Sequence, residues 1–168
     1  MALHDIGQER ERLHGGDHAI IGADMAADLL TDTLFPQPSI PAVQDAIREH
    51  RMTGGMTPRS IEGRILYDAD KLDVLGAIGI GRLYCITGRY NQKVYSPMPD
   101  DIASPVDPLV IRELRRRPDF SPSIEFALLY NNLPDRMATA AGRQLAQERY
   151  EYMAGFFARL EKEVAGEL

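Results

Sequence analysis

The chain has 168 residues, of which 44% are hydrophobic and 26% are charged, as in an ordinary globular protein with a real core. Its net charge of −6 argues against a nucleic-acid polymer or an anionic membrane as partner. The one cysteine, Cys85, excludes an internal disulfide and predicts a cytoplasmic location. The charged N-terminus is not typical of a signal peptide, and the longest apolar run, residues 74–81, is far shorter than the ~20 residues that span a bilayer.

The first third of the chain predicts a loop and two helices. Residues 8–16 are polar and end in a glycine pair, so we expect a loop. Asp17 is predicted to cap a helix over 18–34, and Ser39 a second helix that reaches His50. His50 falls where that helix needs an apolar residue. It is therefore either a boundary histidine bonded to a backbone carbonyl or a ligand.

The middle of the chain predicts one central helix over residues 58–84. Its small and apolar residues recur at helical spacing, which indicates close contact with neighbouring helices. Asp70 and Asp73, three apart, share a face, whereas Asp68 points elsewhere. Such an acidic cluster is either a solvated face or a cation site. The glycines of 76–81 follow a helical pattern and not a strand, so we reject a dinucleotide loop.

The last third predicts a long loop over 86–108, with a short hairpin at 89–95. A short helix over 108–117 ends in three arginines, which we interpret as solvated surface and not as a phosphate site. A further helix is expected from Ser121 or Ser123 to residue 133, followed by a long helix capped by Thr139. We interpret the stripe of this last helix as core or a docking face and not as a ligand site; its residues are Leu145, Arg149, Tyr152, Phe156, Leu160 and Val164. The fold class is therefore all-α, with six or seven helices in one domain, 1–168.

Metal-ligating residue types recur along the chain in the order His4-Asp5, His18, His50, Asp70. Imidazole nitrogens and carboxylate oxygens together suit a borderline or hard divalent cation. This order resembles the HD-domain family of metal-dependent phosphohydrolases. The segments that look like its small stand-alone bacterial branch are residues 3–7, 18–23, 47–50, 62–82 and 137–149.

The resemblance implies a ligand set for a divalent ion. It places metal ligation on His4, Asp5 and Asp70, and it favours Asp70 because the last ligand of the family stands in an Ala-Asp-x-Leu context, as residues 69–72 do. The ion is expected to be Mn²⁺, Mg²⁺ or another divalent metal such as Fe²⁺, Co²⁺ or Ni²⁺.

The resemblance and the residue chemistry together suggest four catalytic residues. In related branches the two middle histidines, here His18 and His50, bind a second metal or the substrate phosphate. Lys71 can supply positive charge, and Asp73 can orient water or accept a substrate hydroxyl. The remaining histidine, His14, is interpreted as a loop residue without a role.

One feature of the family is absent before His4. The first histidine of the family lies on a preceding helix, and only three residues precede His4 here. We therefore expect a truncated form or a lost ligand, with weak or no activity because three protein ligands remain instead of four. Apolar surface should then be exposed or covered by a second chain, which predicts a homodimer.

The leading functional hypothesis is a metal-dependent phosphohydrolase acting on a small phosphorylated metabolite, most plausibly a nucleotide. Cleavage of a nucleoside triphosphate to monophosphate and pyrophosphate is the specific reaction that the family branch implies. The alternative is a catalytically impaired HD-like module that binds a nucleotide or oligomerises. A plain helical interaction domain is the third possibility.

Overall fold

The computed structural model describes residues 3–51, 57–100, 102 and 108–168, of which 108, 109 and 112 are described by their backbone alone. These residues form helices and turns without a β-strand, which confirms the all-α fold class. Residues 52–56 and part of the loop predicted over 86–108 lie outside them. The α-helices are α1 (Gln8–His14), α2 (His18–Thr31), α3 (Ile40–Glu49), α4 (Ile61–Leu72), α5 (Gly76–Arg89), α6 (Pro108–Leu114), α7 (Pro122–Glu125) and α8 (Ala140–Ala165).

The chain divides into two compact units, residues 1–70 and residues 71–168. The single-domain organisation that we expected stays a prediction. Among the helices that the structure describes, none combines the length and the hydropathy needed to cross a membrane.

In the first unit, α2 and α3 pack against each other through small and branched apolar side chains. Ala23 and Ala26 of α2 are fully buried against Ile47 of α3. The alanines allow the two helices to approach closely and leave little void between them. The same packing holds His18, the first residue of α2, and His50, which follows the last residue of α3.

The loop predicted over residues 8–16 is wrong in its first part, which forms α1. Its sequence, Gln-Glu-Arg-Glu-Arg-Leu-His, consists mainly of good helix formers but contains no buried residue. The segment therefore lacks the hydrophobic periodicity that would have predicted a helix. Gly15 and Gly16 end it with φ of 76° and 95°, a conformation that glycine adopts without steric cost.

The two predicted helix starts behave differently. The Asp17 cap is confirmed, because its carboxylate accepts a hydrogen bond from the Ala19 N–H at 2.8 Å. Ser39 precedes α3 but makes no capping hydrogen bond with its side chain, since it belongs to a short 3-10 turn. α2 ends at Thr31, where a turn of Asp32 and Thr33 follows, and not at residue 34 as predicted.

The single central helix predicted over 58–84 is also wrong, since α4 and α5 are separated by a turn at residues 73–75. Leu75 is extended and fully buried, and Gly76 has a φ of 71°. The Arg149 guanidinium of α8 donates to the carbonyl of Leu72 at 2.6 Å and packs against Gly76. The Leu72 carbonyl, which also accepts from the Leu75 N–H at 3.2 Å, thus has a cationic partner that local periodicity could not reveal.

In the second unit, α5 packs against α8, and a separate apolar cluster surrounds α6 and α7. Thr139 caps α8 as predicted, because its side chain accepts from the Gly142 N–H at 2.9 Å. The stripe predicted on α8 is not the face that this helix buries, since Leu145, Tyr152 and Val164 are exposed. α8 instead buries Ala146, Met153 and Phe157, and Phe157 stacks on Phe126 with ring centroids 4.8 Å apart.

Two surface predictions for the second unit are wrong. Residues 89–95 contain the end of α5 and turns but no strand, so the hairpin does not form there. The arginine cluster is not simply solvated either. Arg115 is half-buried and pairs with Glu125, a carboxylate only 3% exposed that also accepts from the Tyr130 hydroxyl at 3.2 Å. The sequence alone does not show that one of three adjacent arginines has a buried carboxylate as its partner.

Candidate metal centre

His4 and Asp5 lie in a tight turn that is pressed against the start of α2. The Gln8 N–H donates to the carbonyl of Asp5 at 3.0 Å, which leads the turn into α1. Gly7 makes the close approach possible, because a Cβ at this position would lie 2.3 Å from the carbonyl oxygen of His18. The absence of a side chain at Gly7 therefore brings the His-Asp pair beside α2.

The first group of candidate ligands comprises His4, Asp5 and Asp70. The Nε2 of His4 lies 3.4 Å from Oδ2 of Asp5 and 3.6 Å from Oδ1 of Asp70, which projects from α4. One donor atom from each residue lies within 4.8 Å of the others. The structure thus brings together the three residues predicted to bind metal. Asp68 is buried and belongs to neither ligand group found among the described residues.

A second group shares Asp5 with the first. The other carboxylate oxygen of Asp5, Oδ1, lies 3.7 Å from Nε2 of His18 and 3.5 Å from Nε2 of His50. These three residues also satisfy the distance condition for holding one ion. Each oxygen of Asp5 therefore faces a different set of nitrogen donors, as a carboxylate that bridges two bound groups would.

The Nδ1 atoms of His18 and His50 already have hydrogen-bond partners. Nδ1 of His50 lies 2.6 Å from the carbonyl of Ile47, and Nδ1 of His18 lies 2.8 Å from a carboxylate oxygen of Glu11. Both partners only accept hydrogen bonds, so each Nδ1 carries a proton. In a charged ring, Nε2 carries a second N–H that can donate to Asp5, whereas in a neutral ring it presents a lone pair, which the carboxylate repels. A cation between them removes the resulting repulsion.

The spacing of the donors fits a divalent cation. Ligand atoms about 2.0–2.2 Å from an ion lie roughly 3 Å apart, and the facing donors here are 3.4–3.7 Å apart. Because all donors of each group lie within 4.8 Å of one another, a contraction of the group would close it around an ion. Mixed imidazole and carboxylate donors suit Mn²⁺, Fe²⁺, Co²⁺ or Ni²⁺ better than Mg²⁺, which prefers oxygen.

Asp5 is ionised at neutral pH. A hydrogen bond with the His50 ring lowers the pKa of Asp5 to about 2, against the opposing effect of partial burial and with help from the nearby His4. A carboxylate must be deprotonated to ligate a metal. Asp5 therefore needs no proton loss before it binds a cation at physiological pH.

An apolar cavity of about 690 Å³ adjoins the first ligand group at His4. The residues that line it fall between Leu3 and Leu66, and the polar ones besides His4 are Ser39 and Glu62. The exposed apolar residues Ile61 and Ile65 lie on the neighbouring α4. The candidate centre thus has an apolar side at His4 and a polar side at His18.

The four predicted catalytic residues fall in two different units of the chain. His18 and His50 lie together with Asp5, whereas Lys71 and Asp73 belong to the second unit, where Lys71 is buried and Asp73 is exposed. Asp73 follows the end of α4, so it does not share a helical face with Asp70 as predicted. The roles of all four residues stay predictions.

Two contacts of the centre were missed by sequence reasoning. Glu11 bonds His18 from α1, which we had interpreted as a loop. The Asp17 carboxylate, directly before His18, pairs at 2.6 Å with Arg51, directly after His50. No rule of sequence spacing predicts that these residues meet. The helix propensity of residues 8–14 was the one available signal, and it indicated helix α1 but not the contact between Glu11 and His18.

A third contact lies next to His50. The Glu49 carboxylate is 5% exposed and accepts from both the backbone N–H and the guanidinium of Arg59, at 2.9 and 2.8 Å. Burial raises the pKa of Glu49, but these hydrogen bonds outweigh it and hold the pKa below its ordinary value. This ion pair fixes the end of α3 beside His50.

The candidate centre thus combines adjacent His and Asp at a turn, two further histidines at helix ends and one helical Asp. Residues 1–75 match the family model of the HD domain. This part of the chain is therefore similar to the HD domain, as the resemblance in sequence predicted.

Relatives and solved structures agree with this assignment. Bacillus subtilis YpgQ is 31% identical over 109 residues, which cover 65% of this chain. An HD superfamily hydrolase from an uncultured Thermotogales bacterium has 28% identity and a TM-score of 0.60 over 96% of this chain. The crystal structure of YpgQ in complex with ADP has 24% identity, a TM-score of 0.56 and 96% coverage of this chain, together with 82% of its own, and shows the shared fold.

The chain matches only part of the first two proteins. The matched segment spans 43% of the length of YpgQ, and the chain covers 63% of the Thermotogales structure.

Proposed function

We propose that this protein is a metal-dependent phosphohydrolase that acts on a small phosphorylated metabolite. The observation that carries the proposal is the shared carboxylate of Asp5, whose oxygens face His4 and Asp70 on one side and His18 and His50 on the other. Hydrolysis of a phosphate ester or anhydride requires charge neutralisation at the phosphoryl oxygens and a water nucleophile. A site that gathers imidazoles and carboxylates around one turn suits that task.

A divalent ion, when bound, lowers the pKa of a ligated water and polarises a phosphoryl oxygen. His4, Asp5 and Asp70 would hold it in the first group, which leaves open positions for water and substrate. His18 and His50 would hold a second ion together with Asp5, or contact the phosphate directly. Lys71 and Asp73 are proposed to supply charge to the substrate and to orient water.

The proposed substrate class is a nucleotide. Bacillus subtilis YpgQ, 31% identical over 109 residues, has been crystallised with ADP. This supports a ligand that presents a phosphate chain to the centre. Cleavage of a nucleoside triphosphate to monophosphate and pyrophosphate is the specific reaction that we propose.

Metal binding and turnover are measured on the same chelator-free preparation. Mn²⁺ is titrated by calorimetry and by its effect on thermal unfolding, and a panel of nucleoside mono-, di- and triphosphates is assayed for phosphate and pyrophosphate release. Asp70→Asn should abolish turnover and weaken Mn²⁺ binding. Asp28→Asn, on an exposed face of α2, changes the net charge equally and should alter neither.

The outcomes separate the functional hypotheses. No binding of Mn²⁺ and no stabilisation would refute the enzyme proposal for this chain. Binding of metal and nucleotide without turnover would favour the impaired HD-like module. Turnover that survives Asp70→Asn would mean that the reaction occurs at another site.

A further inference from the structure

His18 and His50 face the same oxygen of Asp5 but are held in place by different kinds of partner. The ring of His50 is anchored by a main-chain carbonyl of its own helix, that of Ile47 at 2.6 Å. The ring of His18 is anchored by a side chain from another helix, Glu11 of α1, at 2.8 Å. The main-chain carbonyl that holds His50 is present whatever side chain residue 47 carries. The carboxylate that holds His18 is lost when Glu11 is replaced.

The contact with His18 also distinguishes Glu11 from the rest of its helix. α1 is described throughout, and Glu11 is its one residue that is not exposed; its side chain is 18% accessible. The helix buries no apolar side chain, so hydrophobic packing does not explain its position. Its specific contribution to the centre is a carboxylate directed at Nδ1 of His18.

We propose that Glu11 is a positioning residue, which fixes the proton of His18 on Nδ1 and thereby turns the lone pair of Nε2 toward the cation site at Asp5. This inference rests on the proposed function only in taking that site as a cation site. A carboxylate behind a ligating imidazole fixes its tautomer and orientation and raises its basicity. Without Glu11, the His18 ring can rotate about its side-chain bonds and can carry its proton on either nitrogen.

The first test reads the tautomer without metal. Long-range ¹⁵N–¹H spectra of histidine-labelled apo-protein, at mildly alkaline pH, report which ring nitrogen carries the proton, and His18→Ala assigns the signals. We expect His18 to be protonated on Nδ1 in the wild type and to be a mixture of tautomers in Glu11→Ala. The same tautomer distribution in both proteins would overturn the proposal.

The second test measures Mn²⁺ affinity by calorimetry. Glu11→Ala should weaken the ion held by Asp5, His18 and His50 by about 10–100-fold. Glu11→Gln, whose amide oxygen can still accept the Nδ1 proton, should restore part of the loss. Glu9→Gln is the matched control, because Glu9 is exposed on the same helix and pairs only loosely with Arg12 at 3.7 Å; it should have no effect.

The background of His18→Ala separates positioning from general destabilisation. If Glu11 acts through His18, then Glu11→Ala causes no further loss of Mn²⁺ affinity in that background. An equal loss with and without His18, or wild-type affinity in Glu11→Ala, would contradict the proposal. If the wild type binds no Mn²⁺ at this group, the proposed function fails there, and the tautomer measurement still decides the role of Glu11.

Discussion

The carboxylate of Asp17 should stabilise the fold and the metal centre together. One oxygen caps α2 through the Ala19 N–H at 2.8 Å, and the other pairs with Arg51 at 2.6 Å. Removing a capping carboxylate costs about 1 kcal/mol. The ion pair is partly exposed, at 37% for Asp17 and 19% for Arg51, so solvent screening limits it to roughly 0.2–1 kcal/mol.

Asp17→Ala should therefore lower the free energy of unfolding by about 1–2 kcal/mol. For a chain of this size, that corresponds to a fall in Tm of roughly 2–8 °C, measured by circular dichroism on apo-protein. Because Asp17 precedes His18 and Arg51 follows His50, the affinity for Mn²⁺ should also fall. Asp17→Asn keeps a capping oxygen and should lose only the smaller, ionic part.

Thr139→Ala removes the same kind of cap from α8 in the second unit and provides the control. It should lower stability by about 1 kcal/mol without changing Mn²⁺ affinity. If Asp17→Asn were as destabilising as Asp17→Ala, the capping argument would be refuted. If neither Asp17 variant changed Mn²⁺ affinity, the link between the cap and the two histidines would be wrong.

Three further changes test other contacts. Gly7→Ala introduces a Cβ against the backbone of α2 and should destabilise the protein by about 1–3 kcal/mol in urea unfolding; an unchanged midpoint would contradict the close approach. Because the pKa of Glu49 is lowered by Arg59, the stability that Glu49 contributes is complete above about pH 4.5 and is lost as the pH falls below that value. The free energy of unfolding of Glu49→Gln should therefore depend less on pH in this window than that of the wild type. Identical acid-unfolding curves for the two proteins would refute the assignment. Arg149→Ala removes the charged partner of the Leu72 carbonyl and should cost roughly 1.5–3 kcal/mol by the same urea assay, whereas a neutral result would show that solvent replaces it.

The break between α4 and α5 shows where periodicity stops being informative. Apolar residues continue at helical spacing through residues 73–75, so the sequence predicts one helix. The buried Leu75 and the Arg149 contact at Leu72 override that local preference. The second of these contacts comes from α8, which lies far along the chain. A helical pattern therefore predicted the existence of these helices better than their ends.

α1 illustrates the opposite failure. Its residues have good helix propensity but no apolar stripe, and we interpreted them as a loop. Helix propensity was the one signal for this helix, and the contact between Glu11 and His18 is revealed only by the position of α1 in the structure. A polar helix that contributes a single carboxylate leaves almost no signature in sequence.

The sequence alone determined the helical class and the chemical types of the candidate donors, since both depend on residue identity and local spacing. His4, Asp5 and Asp70 were predicted as one group, and the structure brings them together. Only the tertiary structure decided that Asp5 faces two groups and which nitrogens of His18 and His50 point toward it. The physical reason is that the orientation of an imidazole is set by its second hydrogen bond, whose partner is chosen by how the helices pack.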